Sequence, residues 1–330
     1  MVATLQSARS AMNTIPSIFN ERVISYTVTG GVEPPANVAM SVTCVVLSRG
    51  GRHLRARVIE NLLDKGFEKI ISVNPVSERE SVEGFAAQFP QVSFLLALEE
   101  ASQGELLNLA FAEAKSDHVL VVQEQMCFDT VAFDAQLASR LSSRGHFCVA
   151  PTLLSQSHVP LPVVLAPSAK RSLFDVERTA GTTDNQKTLY AVDWAGFYDR
   201  QKFVLLGGTD YTISSPYWQK LDFFFRAWLW GEQVSLSRDL SFSYTDVSPE
   251  EDSTVDVSYL RFYLKNLAPS FKVDHARISW LSWLTFKLRN SCGTLESIRQ
   301  FKDAMRWTRE NQWRFKTDAV SLIENWNTRG

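Results

Sequence analysis

Short apolar segments alternate with segments of helical periodicity, and this alternation constrains the fold more than any other feature of the chain. Ser41–Leu47 is rich in β-branched residues, and Leu54–Lys65 then places its apolar residues on one helical face. The pattern repeats in strands at Lys69–Val73, Val92–Leu98 and His118–Val122, with helices at Ser81–Phe89 and Gly104–Ala114. Strands this apolar, separated by helices, predict an α/β fold with a mostly parallel sheet flanked by helices.

The composition is that of an ordinary globular chain. Its 330 residues are 45% hydrophobic, and the formal net charge of −2 provides no basic field that would indicate a nucleic-acid partner. No stretch approaches the ~18 to 20 apolar residues that span a bilayer. Met1–Asn13 lacks the basic start and apolar block of a secretory signal. The expected location is therefore cytoplasmic, and any membrane contact is expected to be peripheral.

Three regions are expected along the chain. Residues 1–40 read as a polar N-terminal leader that ends in a turn-rich stretch, and residues 41–250 carry the α/β pattern. Residues 251–330 read as a helical C-terminal extension, with helical periodicity at Thr294–Arg309 and Thr317–Asn327. Its tryptophans are interleaved with Lys and Arg. This fits a peripheral membrane contact, a contact with a second subunit in a homo-oligomer, or packing on the α/β domain equally well.

Ligands of open parallel sheets bind outside the carboxyl ends of the strands. In this sequence those ends carry polar residues, namely Ser48-Arg49, Asn74-Pro75, Glu99-Glu100 and Gln123-Glu124-Gln125. Divalent cations such as Mg²⁺ prefer carboxylates to neutral amides. The fourth of these strand ends, Gln123-Glu124-Gln125, therefore offers a divalent cation one good ligand between two poor ones.

Four blocks, in this order, are similar to the glycosyltransferase family 2-like group. They are Val45–Arg49, Ile70–Ser77, Glu100–Ala110 and Ala195–Asp210, the last of which leads into the helical segment Tyr217–Ala227. The resemblance covers residues 41–266. It implies a GT-A-like fold that transfers a sugar from a nucleotide-diphospho-sugar to an acceptor, which is a glycan, a lipid or a protein.

The resemblance, together with the charge and position of individual residues, indicates where the substrates are expected to bind. The donor-binding positions are Ser48, Arg49, Arg52, Asn74, Ser77, Gly104, Asn108, Gln123, Glu124 and Gln125. The acceptor-side positions are Asp193, Asp210, Trp218 and Gln219. The chain departs from the family at several of them. Asn74 replaces a base-binding Asp, Gln123 and Gln125 replace the metal-binding aspartates, and Gln219-Lys220 replaces the Glu-Asp pair that supplies the general base.

Two interpretations of Glu124 stay open. It binds Mn²⁺ or Mg²⁺ with substrate phosphates as the other ligands, or it is a strand-end acid with no ligand. A cluster of basic residues between positions 49 and 57 suggests a route without metal, because cations at a helix N-terminus are unfavourable unless an anion is near. The hypothesis is that Arg49 and Arg52 bind the pyrophosphate directly. The alternative is a solvated basic face.

Asp222 is the acidic residue of the helical segment Tyr217–Ala227, which corresponds to the acceptor-side helix of the family, and it has two interpretations. It is a general base, or it is a partner for Arg226 at the i+4 position. Trp218 is the aromatic best placed to contact an acceptor, although helical spacing favours core packing for most of its aromatic neighbours.

The sequence leaves two alternative functions open. The chain is a metal-independent glycosyltransferase that uses Arg49, Arg52 and Asp222, or it is a relative without catalysis that binds a glycan, a nucleotide or a protein.

Overall fold

The structure is a computed structural model that describes residues 22–279 and 294–327, apart from 34, 36, 50–51, 129–132, 171–172, 182 and 249. The strands are β1 (Tyr26–Gly30), β2 (Met40–Leu47), β3 (Phe67–Asn74), β4 (Val92–Ala97), β5 (His118–Gln123), β6 (Met126–Cys127), β7 (Cys148–Leu154), β8 (Val164–Lys170), β9 (Leu173–Thr179), β10 (Gly196–Asp199), β11 (Val234–Tyr244), β12 (Pro269–Lys272) and β13 (His275–Ile278). The helices are α1 (Arg52–Leu63), α2 (Arg79–Gln88), α3 (Gln103–Glu113), α4 (Ala135–Ser142), α5 (Arg200–Leu205), α6 (Pro216–Leu229), α7 (Val257–Phe262), α8 (Thr294–Asn311) and α9 (Ala319–Glu324).

A nine-stranded sheet, in the order β1-β4-β3-β2-β5-β10-β7-β11-β6, forms the centre of the molecule. β4, β3, β2 and β5 pair in parallel, as do β7 and β11, while β1, β10 and β6 run antiparallel to their neighbours. The sheet is therefore mixed but mostly parallel, and the predicted α/β class is confirmed. The chain reverses its direction of winding between β2 and β5, and ligands of such sheets bind in the crevice at a reversal of this kind.

The parallel strands are buried on both faces, which is why they read as continuous apolar runs. Along β2, Val45 and Leu47 face one hydrophobic cluster, which includes α3 and α6, whereas Cys44 and Val46 face the other, which includes α1, α2 and α4.

The seven segments predicted between residues 41 and 122 all match elements of the structure, in order β2, α1, β3, α2, β4, α3 and β5. The helix starts follow from capping side chains, since Ser102 forms a capping box on α3 and Ser215 precedes Pro216 on α6.

The first strand of the sheet lies inside the segment predicted as a leader. Tyr26–Gly30 pairs antiparallel with β4 and forms one edge of the sheet. Part of residues 1–40 thus belongs to the α/β layer, and residues 1–21 lie outside the described part of the chain.

Within residues 251–330, for which helices were expected, the structure describes α7, which continues into a π-helical turn at Tyr263–Leu267, and also α8 and α9. The β12–β13 hairpin, which the helical interpretation did not include, lies between them. The late tryptophans Trp280 and Trp283 lie outside the described residues. Within the ranges that the structure describes, no helix combines the length and apolar character needed to cross a membrane.

Candidate active site

A cleft of about 440 Å³ opens beside the reversal point between β2 and β5. Its walls come from the loop after β2, the segment before β10, the start of α6 and the loop that follows β11. The lining residues include Arg49, Asp193, Trp194, Tyr217 and Lys220. This volume falls in the ordinary range for small-molecule sites, about 300 to 1,000 Å³. The cleft is therefore the main candidate for a substrate site.

Two consecutive cleft residues have left-handed backbone conformations. Asp193 has a φ of 52° and Trp194 a φ of 62°, and both are buried. Such conformations cost of order 1–3 kcal/mol for residues other than Gly, and they cluster at functional sites. The backbone before β10 therefore adopts an unfavourable geometry that presents the Asp193 carboxylate to the cleft.

The Asp193 carboxylate is held from two sides. Its Oδ1 accepts a hydrogen bond from Arg49 Nη2 at 3.0 Å, and its Oδ2 accepts one from the Tyr244 hydroxyl. Burial, and then the negative charge of Asp193, raise the pKa of Tyr244, so this hydroxyl stays protonated and keeps donating. Each carboxylate oxygen has a second lone pair that a substrate hydroxyl can use.

A second carboxylate of the cleft, Glu251, lies among cations and tyrosines. It pairs with Lys220, and it accepts hydrogen bonds from the Tyr190 hydroxyl at 2.6 Å and from Arg178 Nη2 at 2.9 Å. Burial by itself would raise the pKa of Glu251, but the Lys220 charge and the hydrogen bonds from Lys220 and Tyr190 outweigh it and hold the pKa below its ordinary value. Glu251 is therefore ionised at neutral pH and fastens the loop after β11 to α6.

The charge of the cleft is negative. Among the lining residues that the structure describes, five are acids, namely Asp193, Glu250, Glu251, Asp252 and Asp256, and two are cations, Arg49 and Lys220. Hydroxyl donors of a sugar suit such a lining, whereas a pyrophosphate would need a cation such as Arg49 beside it.

Directly beneath the cleft, the carboxyl ends of the strands are bridged by Arg55. This side chain is fully buried, and its Nε donates to Glu124 Oε2 at 3.2 Å while its Nη1 donates to Asn74 Oδ1 at 2.8 Å. Its Nη2 contacts both Glu78 and Ser48. The buried network of Arg55, Ser48, Asn74, Glu78 and Glu124 thus joins the ends of β2, β3 and β5.

The residues at the β5 end do not fit a metal centre. Glu124 Oε1 accepts from the Arg49 backbone N–H at 2.5 Å, and Glu124 Oε2 accepts from Ser48 Oγ at 2.8 Å and from Arg55. Gln123 Nε2 donates to the Asp193 carbonyl at 2.7 Å. Among the described residues, no group of three or more His, Cys, Asp or Glu side chains is arranged to hold a metal ion. The Arg55 guanidinium supplies the positive charge next to Glu124.

The other predicted donor residues are mostly engaged inside the protein. The Asn74 amide donates to the carbonyls of Ser72 and Leu95, and Asn108 holds Thr209 through hydrogen bonds in both directions. Ser77 is exposed on the turn after β3, and Gln125 is partly buried in the turn between β5 and β6. The side chain of Arg52 lies outside the described residues. Of the nine predicted donor positions whose side chains the structure describes, Arg49 is the one that lines the cleft.

On the acceptor side, Gln219 joins α6 to the start of α3. Its Oε1 accepts from the Gly104 backbone N–H at 3.2 Å, and its Nε2 donates to Ser102 Oγ and to the Asp210 carbonyl. A Cβ atom on Gly104 would lie 2.5 Å from Gln219 Oε1, so this close approach requires glycine. Gln219 therefore has a structural role here. Trp218 is buried as well, and its Nε1 donates to the Thr254 carbonyl at 2.8 Å.

Asp222 belongs to a buried charge cluster formed by Asp210, Asp222, Arg226 and Lys265, all with no exposed side-chain surface. Its Oδ2 accepts from Arg226 Nη1 at 2.7 Å and from Lys265 Nζ at 2.8 Å, and its Oδ1 accepts from Asn266. This geometry favours the interpretation of Asp222 as a partner of Arg226 and places it away from the cleft. Asp210 is likewise inside the cluster, so Asp193 is the acceptor-side residue that lines the cleft.

Sequence reasoning missed Glu78 and Glu251, and it treated Arg55 only as part of a basic cluster. The run Glu250-Glu251-Asp252 after β11 is an available signal for the acidic loop. No local signal pairs Arg55 with Glu124, because the two are 69 positions apart and meet only through the parallel sheet.

No model of a known protein family matches this sequence, and no curated protein matches it either. The fold is similar to the crystal structure of GalNAc-T7 with UDP, GalNAc and Mn²⁺, with a TM-score of 0.58 and 10% identity over 89% of this chain and 59% of that one. Two further structures have TM-scores below 0.5. They are S. aureus TarS, at 0.46 with 12% identity over 87% and 78% of the two chains, and the mannosyltransferase PcManGT from Pyrobaculum calidifontis with GDP-Man and Mn²⁺, at 0.43 with 11% identity over 91% and 80%.

The sheet topology and the similarity to the GalNAc-T7 structure define the fold class: this is a GT-A-like fold. The expected fold is thereby confirmed. The chain spans about 59% of the length of that GalNAc-T7 structure, and the identity is low, so the similarity is one of fold.

Proposed function

We propose that the protein is a glycosyltransferase that moves a sugar from a nucleotide-diphosphate donor to an acceptor in the cleft between β2, β10 and α6. The observation that carries the proposal is the cleft itself, which opens at the winding reversal of a GT-A-like sheet and is lined by the strained pair Asp193 and Trp194. The acceptor, whether glycan, lipid or protein, remains a prediction from the sequence.

In this proposal Asp193 replaces Asp222 as the general base. Its carboxylate lines the cleft and is oriented by Arg49 and Tyr244, whereas Asp222 is enclosed by Arg226 and Lys265. A positioned carboxylate that takes the proton from an attacking hydroxyl contributes typically 10²–10⁴-fold to the rate.

Arg49 is proposed as the contact for the donor phosphates. Its side chain is about 23% exposed, and Asp193 and Gln103 engage only its Nη2. The remaining donors of a guanidinium can form the paired hydrogen bonds that phosphate oxygens favour. No step of the reaction is assigned to a metal ion, because the Glu124 oxygens are engaged by Ser48, Arg49 and Arg55.

The test is nucleotide release from a panel of UDP-, GDP-, CDP- and dTDP-sugars, with wild-type protein and the Asp193→Asn variant. The variant is expected to lose at least about 100-fold in rate, since it keeps the shape of the side chain but cannot accept a proton. Asp239→Asn, an exposed acid on β11, is the matched control and should keep full activity. An Asp193→Asn variant within threefold of wild type would rule out Asp193 as the base.

A second function, recognition of a glycan without catalysis, is favoured by the negative charge of the cleft. Its described lining residues include five carboxylates and two cations, which suits an uncharged, hydroxyl-rich ligand better than a nucleotide diphosphate. Under this alternative, wild-type protein releases no nucleotide from any donor and binds neutral oligosaccharides with an affinity that Asp193→Asn weakens. Turnover of any one donor would exclude it.

A further inference from the structure

The outward face of α8 carries a row of basic side chains. Arg299, Lys302, Arg306 and Arg309 follow one another at spacings of three and four residues, so they share one side of the helix. All four are exposed, while residues 301, 304 and 307 on the opposite side are buried in the core. The row therefore faces solvent along three turns of the helix.

A groove of about 530 Å³ runs between this row and β13. Arg277 lines it from the strand, and Lys302, Arg306 and Arg309 line it from the helix, whereas no Asp or Glu among the described residues contributes to the lining. Apolar side chains, among them Met305, complete its walls. We call this feature the basic groove.

The cations of the basic groove are poorly neutralised. Arg306 pairs with Asp303 at 3.0 Å, but within the part of the chain that the structure describes Arg277, Lys302 and Arg309 form no ion pair. The whole chain carries a formal charge of −2, so this positive charge is local. A concentrated patch of one sign on an otherwise acidic protein attracts an extended anionic partner.

Two apolar side chains project from the same end of the molecule. Val273, at the tip of the β12–β13 hairpin, is 96% exposed and has a φ of 61°. That conformation favours Gly, Asn or Asp and is unusual for a β-branched residue. Trp313 is 60% exposed, and its ring lies 5.3 Å from that of His275 on the same hairpin.

We propose that this face binds the surface of an anionic lipid bilayer. Lipid phosphates would contact the basic groove, while Val273 and Trp313 enter the headgroup region, where tryptophan is favoured. The combination of exposed apolar tips with unneutralised cations favours a bilayer over a soluble polyanion, which offers the tips no apolar environment. The residues are separate from the cleft, so the inference does not depend on the proposed reaction.

The test is co-sedimentation of the full chain with vesicles of phosphatidylcholine alone and of phosphatidylcholine mixed with phosphatidylglycerol. Binding is expected only to the mixed vesicles, and it should fall as salt shortens the screening length from about 10 Å at 0.1 M to about 3 Å at 1 M. Each basic side chain near such a surface changes the partition coefficient about fivefold, so the triple variant Lys302→Ala, Arg306→Ala and Arg309→Ala should bind on the order of a hundredfold more weakly.

The matched control, Arg79→Ala with Lys115→Ala and Arg140→Ala, removes three exposed cations from other faces and should bind like the wild type. Val273→Asn relieves the turn and removes the apolar tip, so it should weaken binding about tenfold without harming the fold. Equal binding to both vesicle types, or equal loss in the two triple variants, would overturn the proposal. So would binding of inorganic pyrophosphate or single-stranded nucleic acid with no binding to anionic vesicles.

Discussion

The buried charge cluster provides the sharpest test of how the C-terminal extension is held on the α/β domain. Lys265 lies on the π-helical turn after α7, and its Nζ contacts Asp210 Oδ2 at 3.0 Å and Asp222 Oδ2 at 2.8 Å. None of these side chains is exposed. Lys265→Met keeps the length of the side chain but removes its charge, so two carboxylates lose a cation in a site that water does not reach.

Removing one partner of a buried ion pair costs about 3–5 kcal/mol, and a domain is stable by only about 5–15 kcal/mol. We therefore expect Lys265→Met to lower the free energy of unfolding by about 3 to 5 kcal/mol at pH 7, measured by urea denaturation. The double variant Lys265→Met with Asp210→Asn removes one charge of each sign. It should be more stable than Lys265→Met alone, because residues in one network couple by about 0.5–3 kcal/mol.

The control is Arg140→Ala, which breaks an ion pair with Asp239 in which both side chains are more than half exposed. Exposed pairs of this kind are worth about 0–1 kcal/mol. If Lys265→Met costs no more than this control, or if the double variant is less stable than the single one, the cluster does not hold the extension electrostatically and the reasoning fails.

Three further variants test other parts of the fold. Arg55→Met should lower the free energy of unfolding by about 3–5 kcal/mol, measured with urea, because it leaves the buried carboxylates of Glu78 and Glu124 without their cation. The control is Arg57→Met, at an exposed position of the same helix. An equal cost for the two variants would contradict the role of the Arg55 network. Burial by itself would raise the pKa of Asp210, but the Lys265 and Arg261 charges outweigh it and lower the pKa. The stabilisation from this carboxylate is fully present above the unfolded pKa of about 3.9 and is lost as the pH falls through the lower pKa of the folded state. Asp210→Asn should therefore make the free energy of unfolding less dependent on pH in the acid range. An unchanged pH dependence would argue against the lowered pKa. Ser102→Ala removes the capping box of α3 and should cost about 1 kcal/mol by thermal unfolding; no loss would mean that the cap is dispensable.

The α/β fold was predictable because its evidence is local. A strand buried on both faces must be apolar along its whole length, and β2 and β5 show this in the sequence. The edge strand Tyr26–Gly30 was missed because most of its residues are partly exposed, so it reads as part of the polar segment around it. The hairpin β12–β13 is short, with four residues in each strand, and lies in a region dominated by helical periodicity.

The site was only partly predictable, because its contacts join distant parts of the chain. Arg49 and Asp193 are 144 positions apart, yet their side chains meet in the cleft. Asp222 retained the expected place on its helix, but its surroundings depend on Lys265, which lies 43 positions later. A single sequence indicates which residues can carry charge, whereas the partner of each charge is set by tertiary packing.

The central claim is that the chain binds its donor through the cleft around Arg49 without a metal ion at Glu124. The most direct measurement is calorimetric titration with UDP, GDP, CDP and dTDP, each with and without Mn²⁺, on wild-type protein. We expect at least one nucleotide to bind with the same dissociation constant in both conditions, because the Glu124 oxygens are already engaged by Ser48, Arg49 and Arg55. Binding that tightens tenfold or more with Mn²⁺ would contradict the account and restore a metal role for Glu124.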